Sequence, residues 1–384
     1  MKWEKVEIGK ISKVISGFPF KSIDFKPIGT PVIKIKNIKD ENIVLNESDC
    51  VESSIEVPLR FHLSSGDILI SLTGSHITLP SSVVGRVARY RHDTISFLNQ
   101  RAGKFINIDE DRCEKDYLFY FLLQKETLTK IANKAQGAAN QANISPGDVE
   151  GVEINLPPIT TQRRIASILS AYDDLIENNL KRIKLLEEKA NIHYKDMLQD
   201  SSNWDKVKLE EFVSVVKGKK PLSILDQPED DSQLYLLLST VERLNTYFTS
   251  DLSLPLSRED DVLMCMDGAR SGITFRGMVG AIGSTMAIWR SNSERVSGEY
   301  LYQFMKENES AITQGNTGAA IPHANRKFIL DMKIAIPPKK EATNFNLQTT
   351  PIVKLINTLY NQNSKLREAR DILLPRLMSG VIEV

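Results

Sequence analysis

Cysteine is scarce: Cys50, Cys113 and Cys265 are the only three in 384 residues, odd in number and far apart. That excludes a disulfide framework or a Cys-x-x-Cys metal knuckle, and it points to a reducing, cytoplasmic setting. No run of 18 or more apolar residues occurs, so no membrane span is expected. The N-terminal residues lack the apolar core of a signal peptide. Net charge is missing too, with Lys+Arg and Asp+Glu at 49 each. A free-standing DNA binder usually carries a basic excess, because counterion release drives its affinity. Neutrality therefore argues against tight DNA binding by the chain alone, while leaving room for local basic faces and for contacts shared with a partner.

Signatures of catalysis are absent as well. There is no Gly-x-x-x-x-Gly-Lys-Ser/Thr phosphate loop, no Gly-x-Gly-x-x-Gly after a strand, and no Gly-x-Ser-x-Gly elbow. His62, His76, His92, His193 and His323 have no ligand spacing to each other or to cysteine, so no metal site is expected. Catalytic residues: none are expected. The two Pro-Pro pairs follow Asn-Leu and Ala-Ile, unlike the Asn-Pro-Pro-aromatic motif of adenine methyltransferases.

What the chain does contain is itself, twice. Trp3 to Gly17 returns as Trp204 to Gly218 without a gap. Gly66 to Gly74 matches Asp260 to Gly268, each a polar turn, a buried strand and an exit glycine. Asp116-Tyr117-Leu118 and Glu299-Tyr300-Leu301 each open a short helix with an acid at its positive end. Gln136-Gly137 and Gln314-Gly315 each begin a small-residue loop, and Leu156-Pro157-Pro158 and Ile336-Pro337-Pro338 close each copy. The stretches between these landmarks share little. A common frame with divergent inserts is what two readers of different targets require.

Long helices follow both double prolines. Thr160 to Gln199 holds neither proline nor glycine, and Leu169, Tyr172, Ile176, Asn179, Ile183, Leu186 and Ala190 step by threes and fours. The second copy offers Ile352, Leu355, Leu359, Gln362, Leu366, Ala369 and Leu373 at the same spacings. Such steps mark a coiled-coil seam, and a shared polar break at Asn179 and Gln362 would fix its register. Thr350-Pro351 reads as the start of the second helix and Gly380 as its terminator. The alternative is that each helix packs only on its own domain; length and repetition favour pairing. The expected fold class is α+β. Two duplicated α/β domains are separated by two long helices in an antiparallel coiled coil, with pseudo-two-fold symmetry. The expected segments are 1–157 and 201–338 for the domains, 158–200 and 339–384 for the helices.

These features together resemble the specificity subunit of type I restriction-modification systems. The Trp-x-x-Val starts, the Gly66-Asp67-Ile68-Leu69 strand and the Leu156-Pro157-Pro158-x-x-x-Gln162 junction carry the likeness. So do the Ile176-x-x-Asn179-x-x-Arg182-Ile183 seam and the ending Lys365 to Gly380. The resemblance implies two target-recognition domains, each reading one half of a split, asymmetric site on double-stranded DNA. It implies partners: two methyltransferase subunits and ATP-dependent restriction subunits. It also implies that S-adenosylmethionine, ATP and Mg2+ are used on those other subunits and that none is bound by this chain. After Pro338 the pattern departs, and Lys339 to Asn346 reads as an insert. A second reading is a non-catalytic coiled-coil adaptor whose duplicated domains bind proteins.

Candidate DNA contacts follow from charge and strand periodicity. An alternating strand from Val32 to Ile38 would turn Lys34 and Lys36 outward beside Asn37. Its counterpart, Leu237 to Arg243, brings Thr240 and Arg243. Arg86, Arg89, Arg91, Arg101 and Lys104 form the densest basic stretch, with Lys217, Lys219, Lys220, Arg270 and Arg276 as candidates in the second copy. Thr73 and Ser75 flank Gly74 in a loop able to approach a duplex, as do Asp267 and Arg270 around Gly268. For any one of these, an ordinary solvated surface or turn is the competing explanation.

Overall fold

The apolar runs Ile68–Ser71 and Val262–Cys265 become central strands buried on both faces. In a strand, successive side chains point to opposite sides, so a strand covered on both sides must be apolar throughout. Ile68 and Ile70 enter one core with the helices of their domain, while Leu69 enters a second with Ile33, Ala88 and Leu98. Val262 and Met264 likewise face Trp289, Tyr300 and Met305, and Leu263 and Cys265 face Leu236, Ile282 and Ile288. This computed structural model describes residues 3–39, 41–45, 48–75, 84–138, 141–318 and 321–384. Of the residues named above, His76 lies outside them.

The chain forms two compact units: Met1–Glu177 with Asn363–Val384, and Asn178–Gln362. In the first, strand Ile68–Ser71 lies between Ala102–Ile106 and Val87–Arg89, with Lys13–Ser16 beyond. A second sheet pairs Thr30–Ile33 in parallel with Ser96–Leu98. In the second unit, Val262–Cys265 lies between Met286–Ser291 and Thr274–Arg276, with Val213–Lys217 beyond. Its second sheet pairs Gln233–Leu236 in parallel with Gly280–Ile282. Each copy is closed by pairing its first strand with its last, Glu4–Glu7 with Glu153–Leu156 and Lys206–Lys208 with Lys333–Ala335.

The duplication extends to single hydrogen bonds. Gly17 N–H donates to Ala102 O and Gly218 N–H to Met286 O, both at 3.0 Å. Leu72 N–H donates to Arg101 O and Met266 N–H to Thr285 O; Ile144 and Ala324 return to the carbonyls of Leu72 and Met266. Tyr117 Oη donates to Asn155 O, and Tyr300 Oη to Ala335 O. Gly17 and Gly218 are required by proximity: a Cβ would lie 2.3 Å from Leu98 O or 2.1 Å from Gly283 O. One landmark shifts. Gln136 pairs with Asn143 as Thr317 pairs with His323, and Gly137 and Gly318 both take positive φ, 112° and 92°. The structural partner of Gln136-Gly137 is therefore Thr317-Gly318, and Gln314-Gly315 instead ends a short helix.

The long helices are Ile159–Leu198 and Lys339–Met378, each 40 residues and so about 60 Å long. Each unit takes half of each helix. In the first, Asn363 Nδ2 donates to Ile176 O and Arg370 Nη1 to Asp173 Oδ1. As one chain advances the other recedes, so these halves run antiparallel. In the second unit, Ile183, Leu186 and Ala190 pack with Ile352, Ile356 and Leu359.

The seam of the first helix holds Leu169, Ile176, Asn179, Ile183 and Ala190 buried, with Tyr172 and Leu186 half-buried. On the second helix Ile352 and Leu359 are buried, but Leu355 is 38% exposed and Gln362 is exposed. Leu366, Ala369 and Leu373 lie on the flank, half-buried. The buried line is Phe345, Thr349, Ile352, Ile356, Leu359, Asn363, Arg370 and Leu374. It repeats Ile165, Leu169, Tyr172, Ile176, Asn179, Ile183, Ala190 and Tyr194 at a constant spacing from the double prolines. Lys339 to Asn346 is thus the helix's first two turns and not an insert. Apolar periodicity alone misplaces this seam, because Thr349, Asn363 and Arg370 occupy seam positions while Leu355 and Leu373 sit beside it. Pro351 and Pro375 lie inside the helix, each removing one backbone donor. Gly380, at φ 73°, follows the helix end and packs against Trp3.

Candidate nucleic-acid interface

Three loops converge at one end of the sheet in each domain: the exit of the first long strand, the exit of the central strand, and the hairpin closing against it. In the first domain these are Gly17-Phe18-Pro19, Thr73–Gly74 and its paired strand Gln141–Asn143. Thr73 is half-buried with its hydroxyl lacking a hydrogen-bond partner among the described residues, and Ser75 is half-buried beside it. Arg101, whose carbonyl accepts from Leu72, is exposed there and makes no ion pair among the described residues.

The same end of the second domain is strongly basic. Lys217 is 65% exposed, with Nζ 3.7 Å from Asp267 Oδ2. Lys219 and Lys220 stand where the first copy has Phe18 and Pro19, exposed and without ion pairs among the described residues. Arg270 lies on the central loop, 2.6 Å from Glu242. Asp267 also receives His323, with Nδ1 at 2.7 Å from Oδ1. One backbone frame thus presents lysines in one copy and aromatic, imino and hydroxyl groups in the other.

Several other sequence candidates are engaged by partners within their own domain. The strand expected from Val32 to Ile38 ends at Ile33, and Ile35–Asn37 is a 3-10 turn. Asn37 is fully buried: Oδ1 accepts from Lys34 N–H, and Nδ2 donates to Val44 O and Ser48 Oγ. Lys34 and Lys36 both clasp Asp49, at 2.8 and 3.1 Å. Lys34's hydrogen bond holds the Asp49 carboxyl below its ordinary range. Thr240 is buried in the matching helical turn Leu238–Val241. Arg89 is buried between Asp116 (2.9 Å) and the Phe119 ring. Arg86 is half-buried, reaching the carbonyl of Ile38 at 3.5 Å. Lys104 is buried and bonds His62 O and Asp67. Lys104→Met should therefore lower unfolding stability by about 1–3 kcal/mol and leave DNA affinity unchanged; calorimetry beside a binding titration checks this.

Other arginines bind domains to helices. Arg276 bonds Glu299 through Nε and Nη2, at 2.7 and 3.0 Å, and reaches Glu187 on the first long helix at 3.2 Å. Burial opposes its charge, but these carboxylates outweigh burial and raise its pKa. Arg91 does the same in the first unit, meeting Glu177 at 2.8 Å and Asp173 at 3.3 Å. Periodicity gives no signal for such roles, since an arginine destined for a helix reads like one destined for phosphate. Among the described residues no group of three metal-ligating side chains occurs, and no helix is long and apolar enough to cross a membrane.

Comparison with known proteins agrees with the geometry. Residues 1–188 match the model of the type I restriction modification DNA specificity domain. The putative type I restriction enzyme MjaX specificity subunit of Methanocaldococcus jannaschii is 24% identical, over 100% of this chain and 94% of that relative. The MjaVIII specificity subunit of the same organism is 29% identical, over 50% of this chain and 46% of its own length. The crystal structure of the type I restriction-modification S subunit from M. genitalium shares the fold. Its TM-score is 0.57 at 16% identity, covering 98% of this chain and 96% of that one. A duplicated frame, unlike loops at its exposed end and relatives of one kind lead to one conclusion: residues 1–188 match the type I restriction modification DNA specificity domain, and the whole chain is similar to specificity subunits of type I restriction-modification systems.

Proposed function

We propose that each domain reads one half of a split, asymmetric site on double-stranded DNA, and that the chain does no chemistry itself. The observation that carries this reading is the pair of matched loop ends with unlike side chains. Lys217, Lys219, Lys220 and Arg270 supply phosphate and base-edge donors in the second domain; Arg101 and Ser75 supply them in the first. Phosphate contacts set register, and base-edge contacts set sequence. The helices serve as the platform for two methyltransferase subunits, with ATP-dependent restriction subunits joining the assembly in the cytoplasm. S-adenosylmethionine, ATP and Mg2+ belong to those subunits. Zero net charge fits a chain whose DNA affinity is completed by its partners.

The test is a domain exchange. Residues 1–157 are replaced by the corresponding domain of another specificity subunit, and the methylated motif is read by methylome sequencing. One half of the motif should change while the other half stays. Change in both halves, or in neither, counts against independent readers and favours an adaptor that leaves recognition to other subunits.

A further inference from the structure

A cavity of about 90 Å³ in the second unit is walled by Val241, Phe275 and Met278 of the domain, and by Ile356 and Tyr360 of the second long helix. Arg243 lies in it, at φ 62°, its guanidinium 4.9 Å from the centre of the Tyr360 ring. It makes no ion pair among the described residues. Elsewhere, shielded arginines are answered by acids: Arg89, Arg91, Arg276, Arg290 and Arg370 each meet a carboxylate at 2.7–2.9 Å. Glu187, also on the cavity wall, is engaged by Arg276. Burial lowers the pKa of Arg243, and no carboxylate figures among the charges acting on it. A half-buried cation without an anion is costly unless something supplies the anion.

The first unit offers a contrast. There, the residue that follows the matching turn at positive φ is Glu41, at 66°. It is received by Arg370 of the second long helix, with Nη2 at 2.8 Å from Oε1. In the second unit the residue at positive φ is a cation, and among the described residues no acid answers it.

We propose that the Arg243 cavity receives the carboxylate of an aspartate or glutamate carried by a protein that packs on the helices. The size suits a carboxylate head and excludes a nucleotide. Its helix wall, Ile356 and Tyr360, favours a protein docked on the helices over DNA. Glu242, beside Arg243, already meets Arg270 of the central loop at 2.6 Å, so the DNA-affinity arm of the experiment below separates the two occupants. This inference rests on the reading above in taking the methyltransferase subunit as the carrier of the acid.

The experiment measures association of the full chain with its methyltransferase subunit, by calorimetry and native mass spectrometry, for wild type, Arg243→Glu, Arg243→Gln and Arg243→Lys. Loss of a desolvated charge partner predicts association at least about thirtyfold weaker for Arg243→Glu and Arg243→Gln. Arg243→Lys should fall between wild type and Arg243→Gln, because it keeps the charge but loses the planar fork and its stack on Tyr360. The melting temperature of each free variant separates misfolding from weakened binding, and Arg243→Gln decides the matter if Arg243→Glu does not fold. Equal association of wild type and Arg243→Gln overturns this inference alone; no association by wild type overturns the platform reading with it. Unchanged association, with DNA affinity reduced and the salt slope shallower by about one, overturns it in favour of a phosphate site.

Discussion

Replacing Lys217, Lys219 and Lys220 together by alanine lowers the DNA affinity of the assembled complex by about a hundredfold. That corresponds to roughly 1 kcal/mol for each lysine–phosphate hydrogen bond removed. The three side chains are exposed, so their removal leaves stability within about 0.5 kcal/mol. Each lysine that neutralises a phosphate releases counterions on binding, which steepens the salt dependence by about 0.9 in the log–log slope. The triple variant should then show a slope shallower by about 2.7, read by fluorescence anisotropy between 50 and 200 mM salt. The first half of the recognised motif should be unaffected. An unchanged slope would remove this loop end from the interface and return the reading to the surfaces of the sheets.

Arg370→Met should destabilise the first unit by about 3–5 kcal/mol, because it strands charges out of water. Arg370 is a seam residue of the second long helix, with 7% of its side chain exposed, and it bonds Asp173 of the first helix at 2.7 Å. It also holds Glu41 of the domain and Asp371 on its own helix. Asp173 is equally buried and takes further hydrogen bonds from Tyr120 Oη at 2.7 Å and Arg91 at 3.3 Å. Without Arg370, Glu41 loses the guanidinium that offsets its burial, a burial that already raises its pKa. Chemical denaturation of wild type, Arg370→Met, Asp173→Asn and the double variant gives the coupling directly. The double variant should be less destabilised than the sum of the singles. Simple additivity would mean that Arg370 and Asp173 act independently.

Much of this molecule is legible in its amino-acid sequence. The two apolar runs at Ile68 and Val262, the repeated tryptophan starts and the double prolines locate a duplicated frame. The proline-free and glycine-free stretch after Pro158 locates the first long helix. Such features are local in the chain, and periodicity reports them faithfully because burial of a strand or helix face is set by residues a few positions apart. The second helix is harder. Its seam includes Thr349, Asn363 and Arg370, so apolar steps alone drift onto Leu355 and place the polar break at Gln362.

Side-chain roles are the other thing that only tertiary structure decided. Lys104, Arg89 and Arg276 look like Lys219 or Arg101 in sequence, because a basic residue carries no mark of what will face it. Asp67, Asp116 and Glu299, the carboxylates that claim them, are brought close by folding from 37, 27 and 23 positions away. The sequence alone determined two related frames, their unlike loops and a helix after each. Folding decided which charges hold that frame together and which remain at its surface. Pairing between distant charges depends on through-space distance, and no short-range pattern encodes it.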